Sequence, residues 1–161
     1  MAVGSASWSF TEEDFGAITR TLNKFLAETN ARCALLVDRS GQLVATVGEQ
    51  PTFDPTAFAT LTAADFSANA QLASLIGESD FNSLFHQGEK ESMYLADVAR
   101  RVILVALFDN RTTLGLVRLK IKDTVLELTK LFHDVFTRGK SAAQQPGLLA
   151  GADDEIDQLF G

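Results

Sequence analysis

The run Val102-Ile103-Leu104-Val105-Ala106-Leu107-Phe108 places seven apolar residues in succession without a polar break. It is far too short to cross a bilayer, which takes about 20 residues. Turn-forming Asp97-Val98-Ala99-Arg100 precedes it and Asp109-Asn110-Arg111 follows it. It therefore reads as a central strand buried on both faces. A strand of that kind needs paired neighbours on either side and a packed layer above and below.

The layers are legible as helices. Residues 11–29 carry a cap at Thr11 and acids at Glu12, Glu13 and Asp14, which suit the positive end of a helix. Phe15, Ile18, Leu22, Phe25 and Leu26 then recur at helical spacing, and Asn30 suits a left-handed stop. Residues 123–139 repeat the pattern, with Asp123 as cap and Val125, Leu128, Leu131, Phe132, Val135 and Phe136 as the stripe, up to Gly139.

The segment 55–76 is different. Asp54 caps it and Pro55 fits its first turn, yet its only charged side chain is Asp65. Phe58, Leu61, Leu72 and Leu75 form one apolar face, and Ala59, Ala63, Phe66, Ala70 and Ala73 form another. Thr60, Ser67, Gln71 and Ser74 make a third, polar but uncharged. A surface helix ordinarily carries charge on its outer side, so this pattern predicts a helix covered on more than one side.

The remaining strands are expected at 33–37 and 43–47, a hairpin about Asp38-Arg39-Ser40-Gly41, and at 92–96. Residues 77–90 read as a loop. Residues 116–122 read as a strand, because Val117, Leu119 and Ile121 alternate with Arg118, Lys120 and Lys122. The expected fold is an α+β sandwich with a five-stranded, mostly antiparallel sheet and helices on both faces. With 161 residues, one domain over 1–139 is expected, then a Ser/Ala/Gln/Gly/Pro linker over 140–152 and a short tail helix over 153–161. The tail, Asp153-Asp154-Glu155-Ile156-Asp157-Gln158-Leu159-Phe160, is acidic and carries three apolar anchors.

Chemistry of its own is not expected. A net charge of −7 argues against nucleic acid and against anionic membrane surfaces. No secretory signal or membrane-length apolar window is visible, so a cytoplasmic protein without membrane insertion is expected. The single Cys33 makes no intramolecular disulfide, sits in an apolar run and reads as a buried, inert thiol. His86 and His133 lie far apart, so no zinc site and no cofactor is expected. His86 suits a local hydrogen-bonding role in its loop, and His133 the boundary of the last helix. Phosphate-binding loops, nucleophile elbows and zinc-protease helices are absent from the sequence. The carboxylate pair Glu12 and Glu13 reads as a solvated helix start, not an acid/base pair.

A group of short patterns, in order, resembles the roadblock family, the dynein-light-chain-like regulators of small GTPases, and within it the MglB-type bacterial proteins. These are Leu35-x-Val37-Asp38 with Gly41-Gln42-Leu43, Leu61-Thr62-Ala63, Leu72-Ala73-x-Leu75-Ile76-Gly77-Glu78 and Phe85-His86-x-Gly88. The most specific is Phe108-Asp109-Asn110-Arg111-Thr112-x-Leu114-Gly115-Leu116-Val117-Arg118-Leu119, and the tail matches as well. The resemblance implies an α-β-β-α-β-β-β-α sandwich and a homodimer that acts as GTPase-activating protein for a Ras-like GTPase of MglA type. Two chains would serve one GTPase, in cell polarity and motility, with a cell pole as a place of recruitment. It implies that the second helices pair across the dimer axis, which assigns Ala59, Ala63, Phe66, Ala70 and Ala73 to the dimer interface. Ser67, Gln71 and Ser74 would face the GTPase. Ile156, Leu159 and Phe160 of the tail would make a second contact linked to nucleotide exchange. Ala64-Asp65 stands where the family often has Gly-Asn, and Gln71 is larger than the pattern.

Arginines that could serve as a finger are Arg39, Arg100, Arg101 and Arg111, all in turns. The resemblance implies that none does, and that the GTPase's own residues are reordered instead. The other reading is a non-catalytic dimeric scaffold for a kinase or motor complex.

Overall fold

The computed structural model describes residues 10–144, with side chains through Arg138. The element order is α1 (Glu12–Thr29), β1 (Cys33–Asp38), β2 (Leu43–Gly48), α2 (Pro55–Leu75), β3 (Ser83–Gln87), β4 (Ser92–Val98), β5 (Val102–Phe108) and α3 (Leu114–Gln144). The five strands form one antiparallel sheet in the order β2-β1-β5-β4-β3.

β5 is the central strand its composition predicts. Val102, Leu104, Ala106 and Phe108 point to the face covered by α1 and α3, where they meet Ile18, Leu22, Phe25, Val117, Ile121, Leu128 and Phe132. Ile103 and Val105 point to the face covered by α2, where they meet Ala59, Ala63 and Phe66. Its neighbour β1 divides the same way, Ala34 and Leu36 on one side and Cys33, Leu35 and Val37 on the other. A period of two through a sheet covered on both faces leaves no polar position to spare.

Three sequence expectations change. The alternating segment 116–122 is the first part of α3, not a strand. Val117, Ile121, Thr124, Leu128, Phe132 and Val135 are all buried, at helical spacing, and Leu119 is 59% exposed, on the opposite side from Val117 and Ile121. Over seven residues alternation and helical recurrence share the positions 117 and 121, and only the continuation past 122 separates them. The fifth strand is instead β3, inside the segment read as a loop. It pairs Ser83–Gln87 with β4 at the sheet edge, where half-buried side chains leave a weak pattern. Further along, Gly139 lies within α3, which continues to Gln144. One helical glycine costs only about 1 kcal/mol, and Lys140-Ser141-Ala142-Ala143-Gln144 sustains the helix. Residues 140–144 of the expected linker are thus helical, and 145–152 with the tail 153–161 lie outside the described residues.

The β1–β2 turn fixes where α2 crosses. Asp38 is buried, and its Oδ1 accepts hydrogen bonds from the Ser40 amide at 3.0 Å, the Ser40 hydroxyl at 2.7 Å and the Gln42 amide at 2.9 Å. Gly41 has φ 97°, and a Cβ there would come within 3.2 Å of Thr60 Cα. The glycine satisfies both the left-handed turn and the close approach of α2.

Candidate interaction site on helix α2

One side of α2 is committed to the core. Ala59, Thr62, Ala63 and Phe66 are buried, and Ala59, Ala63 and Phe66 join the cluster under the sheet with Leu35, Leu95 and Ile103. This corrects the assignment of these three residues to a dimer interface: they face their own sheet. Ala70 and Ala73 lie on the same side nearer the C-terminal end and are half-buried.

The opposite side is open and apolar. Leu61 is 68% exposed, Leu72 59%, Leu75 83% and Ile76 80%. Ala57, Ala64 and Ala68, also exposed, complete a stripe at 57, 61, 64, 68, 72 and 75, with spacings of four, three, four, four and three. The helix is therefore apolar on two sides, which is how it does without charge. Ser67, Gln71 and Ser74 are exposed and line one flank of that stripe. Of the expected contact residues, these three are brought together, and Ile156, Leu159 and Phe160 lie outside the described residues.

The one charge on α2 is partnered. Asp65 Oδ2 lies 2.7 Å from Nε2 of His86 on β3. Asn69 Nδ2 donates to Asp65 Oδ1 at 2.9 Å and to the Asp65 carbonyl at 2.9 Å. Twenty-one residues separate Asp65 from His86, and no local pattern in the sequence links them.

Three of the four turn arginines are engaged. Arg39 pairs with Asp97, and its guanidinium stands 5.2 Å from the Phe66 ring centroid. Arg101 stands 4.7 Å from the Phe136 ring centroid. Arg111 bonds Asp109 at 3.0 Å and Glu49 at 3.3 Å; these two carboxylates push its guanidinium pKa up, Arg111 in return holds Asp109 below the ordinary range, and Arg32, 2.6 Å from Glu49, followed by Arg111 does the same to Glu49. Arg100, on the β4–β5 turn with φ 57° beside Ala99 at 55°, has no side-chain partner among the described residues. Cys33 is buried, and desolvation pushes its thiol up to about 11. No group of three or more His, Cys, Asp or Glu side chains suited to a metal ion exists among the described residues, and no described helix is long and apolar enough to cross a membrane.

Residues 18–108, the sheet with α2 and most of α1, match the Roadblock/LC7 domain family. The chain belongs to the Roadblock/LC7 family. Among solved structures it is similar to MglB of Myxococcus xanthus, at 45% identity over 74% of this chain and 98% of that one, with a TM-score of 0.71. It is similar to the gliding protein MglB of Thermus thermophilus, at 31% identity over 81% and 98%, with a TM-score of 0.75. An MglB described with a tetrameric arrangement follows at 30% identity over 81% and 98%, with a TM-score of 0.76. A search of curated protein sequences finds no match. This roadblock chain is therefore MglB-like, with the order α-β-β-α-β-β-β-α expected from the resemblance.

Proposed function

We propose that this roadblock chain works as a homodimer that activates a Ras-like small GTPase of MglA type, without a catalytic site of its own. The observation that carries the reading is the outward stripe of α2. Leu61, Leu72, Leu75 and Ile76 are too exposed and too close together to be left in water in a working protein. Two such stripes meeting across a two-fold axis bury each other. The uncharged flank Ser67, Gln71 and Ser74 then borders the pair, and a surface that straddles the axis takes one GTPase per two chains.

Phosphoryl transfer is accelerated mainly by positioning and charge stabilisation. Arg39, Arg101 and Arg111 are held by Asp97, Phe136 and Asp109 with Glu49, which supports a mechanism that orders the GTPase's own residues instead of inserting an arginine. The tail anchors Ile156, Leu159 and Phe160 add a second contact that affects nucleotide exchange. Cell polarity and motility are the processes such an activator serves, in the cytoplasm and at a cell pole.

Phosphate release from an MglA-type GTPase, with and without this protein at saturation, tests the reading. Stimulation is expected, and Ser67→Arg/Gln71→Arg should abolish it while sedimentation still gives the dimer. Complex formation without any stimulation would leave the scaffold reading in its place.

A further inference from the structure

The outward face of α3 has a composition unlike the rest of this acidic chain. Leu119, Lys122, Leu126, Lys130 and His133 recur at spacings of three, four, four and three, all exposed. Leu119 is 59% exposed and Leu126 63%. The neighbouring cations divide into two groups. Lys24 pairs with Glu127 at 2.9 Å and Lys120 with Glu28 at 3.1 Å, tying α1 to α3. Arg118, Lys122 and Lys130 have no ion-pair partner among the described residues, and the acids beside them that are likewise without an ion pair there are Asp123 and Asp134. Leu126, Lys130 and Asp123 also line a groove of about 280 Å³ between the two helices, with Lys24 and Lys120 on its walls. Glu28 and Glu127 on the same walls offset Lys24 and Lys120, so the cations left over beside the apolar ridge are Arg118, Lys122 and Lys130, in a chain of net charge −7.

We infer that this ridge is the docking site for the chain's own C-terminal segment, 153–160. Charge complementarity selects it. The segment carries four acids, Asp153, Asp154, Glu155 and Asp157, and three apolar side chains, Ile156, Leu159 and Phe160. Apolar side chains on the ridge and on the segment exclude water from each other, and the acids meet the three free cations. Reach permits it. Gln144, the last residue of α3, lies about 27 Å along the helix from Leu126 at 1.5 Å per residue. The twelve residues from Gln144 to Ile156 span up to ~40 Å when extended and about 19 Å as a flexible coil. Folding back along α3 brings Ile156 over Leu126, with Leu159 and Phe160 directed toward Leu119. An intramolecular tether of this length raises the effective concentration of the segment to the millimolar range, so weak contacts suffice. The docking stands whether or not the partner of α2 is a GTPase. Where it is one, the segment has two alternative seats, and partner binding must draw it off α3.

The test uses the full chain with Gln158→Cys carrying a nitroxide label. The buried Cys33, with its thiol raised to about 11, stays unlabelled. Amide signals of residues 116–133 and of the facing part of α1 should lose more than half their intensity, and those of α2 should not. The loss should disappear in Leu119→Glu/Leu126→Glu, both surface substitutions that leave the core intact. It should weaken in Lys122→Glu/Lys130→Glu and return when Asp153→Lys/Asp154→Lys is added. Unaltered intensities along α3, broadening centred on the α2 stripe, or broadening that survives the leucine pair would each overturn the inference.

Discussion

Nε2 of His86 on the edge strand β3 lies 2.7 Å from Oδ2 of Asp65 on α2. The pair ties the last strand of the sheet to the helix above it, and it places the only charge of α2 against a partner instead of on the open stripe. Both side chains are partly exposed, 45% and 32%, so solvent screens the interaction and it contributes at most about 1 kcal/mol. A double-mutant cycle of Asp65→Asn and His86→Ala should give a coupling of about 0.5–1 kcal/mol, with each single variant melting roughly 2–4 °C lower. Strictly additive losses would mean that the two residues do not act together.

The two sides of α2 should respond oppositely to the same substitution. Ala59→Arg puts an unpaired charge into a site of zero exposure and should cost several kcal/mol, leaving little folded protein at 37 °C. Leu61→Arg/Leu72→Arg changes only the open stripe. Its melting as a monomer should be cooperative, and sedimentation should show the dimer lost. A wild-type chain that sediments as a monomer at micromolar concentration would remove the dimer altogether.

The arginines separate an inserted finger from reordering of the partner. Alanine at Arg39, Arg100, Arg101 or Arg111 should each reduce the stimulated rate less than about tenfold, against the roughly 10³–10⁵ that a finger contributes. Arg100 is the sharpest case, since its side chain has no partner among the described residues. A thousandfold loss for Arg100→Ala at saturating protein would replace the proposed mechanism with an arginine supplied in trans.

Acid should loosen the join between the start of α1 and the far part of α3. Asp14 accepts from the Thr11 amide at 2.9 Å, its own amide donates to Thr11 Oγ1 at 3.0 Å, and its carboxylate pairs with Arg138. Burial acts to raise its pKa, but the Thr11 and Arg138 contacts outweigh burial and hold it below the ordinary carboxylate value. A depressed native pKa contributes stability that is present above the unfolded value and is lost as pH falls through the native one. Asp14→Ala should therefore cost about 1 kcal/mol at pH 7 and progressively less below about pH 4. An equal cost at neutral pH and in acid about one unit below that value would assign the loss to packing.

Cys33 titrates in the opposite sense. Burial pushes its thiol up to about 11, so between the unfolded value and that figure only the unfolded chain ionises, and this site lowers stability as pH rises through that window. At about pH 8 the native chain should react with a disulfide reagent about a hundredfold more slowly than the denatured chain. Comparable rates would show that the β1 face opens readily.

Elements whose pattern is long or doubly apolar are readable from the amino-acid order alone. The seven-residue run of β5, the capped repeat from Thr11 to Asn30 and the Asp38–Gly41 turn each carry their own physical signal, because caps, turns and core stripes are satisfied within a few residues. The uncharged polar side of α2 with Ser67, Gln71 and Ser74, all exposed, was legible on the same ground, as positions at helical spacing. Which apolar side of α2 faces the sheet was not. Ala59, Ala63 and Phe66 and the stripe through Leu61, Leu72 and Leu75 are both apolar, and only the shape of the sheet face beneath, with Gly41 leaving room for Thr60 where a Cβ would stand 3.2 Å from its Cα, selects the side with Ala59 and Ala63. The edge strand β3 is likewise made by its hydrogen bonds to β4, and the helical state of 116–122 by the core that Val117 and Ile121 enter together with Leu128. The Asp65–His86 pair exists because α2 and β3 pack side by side. Local periodicity fixes what a segment can bury, and packing decides which of two apolar faces it does bury.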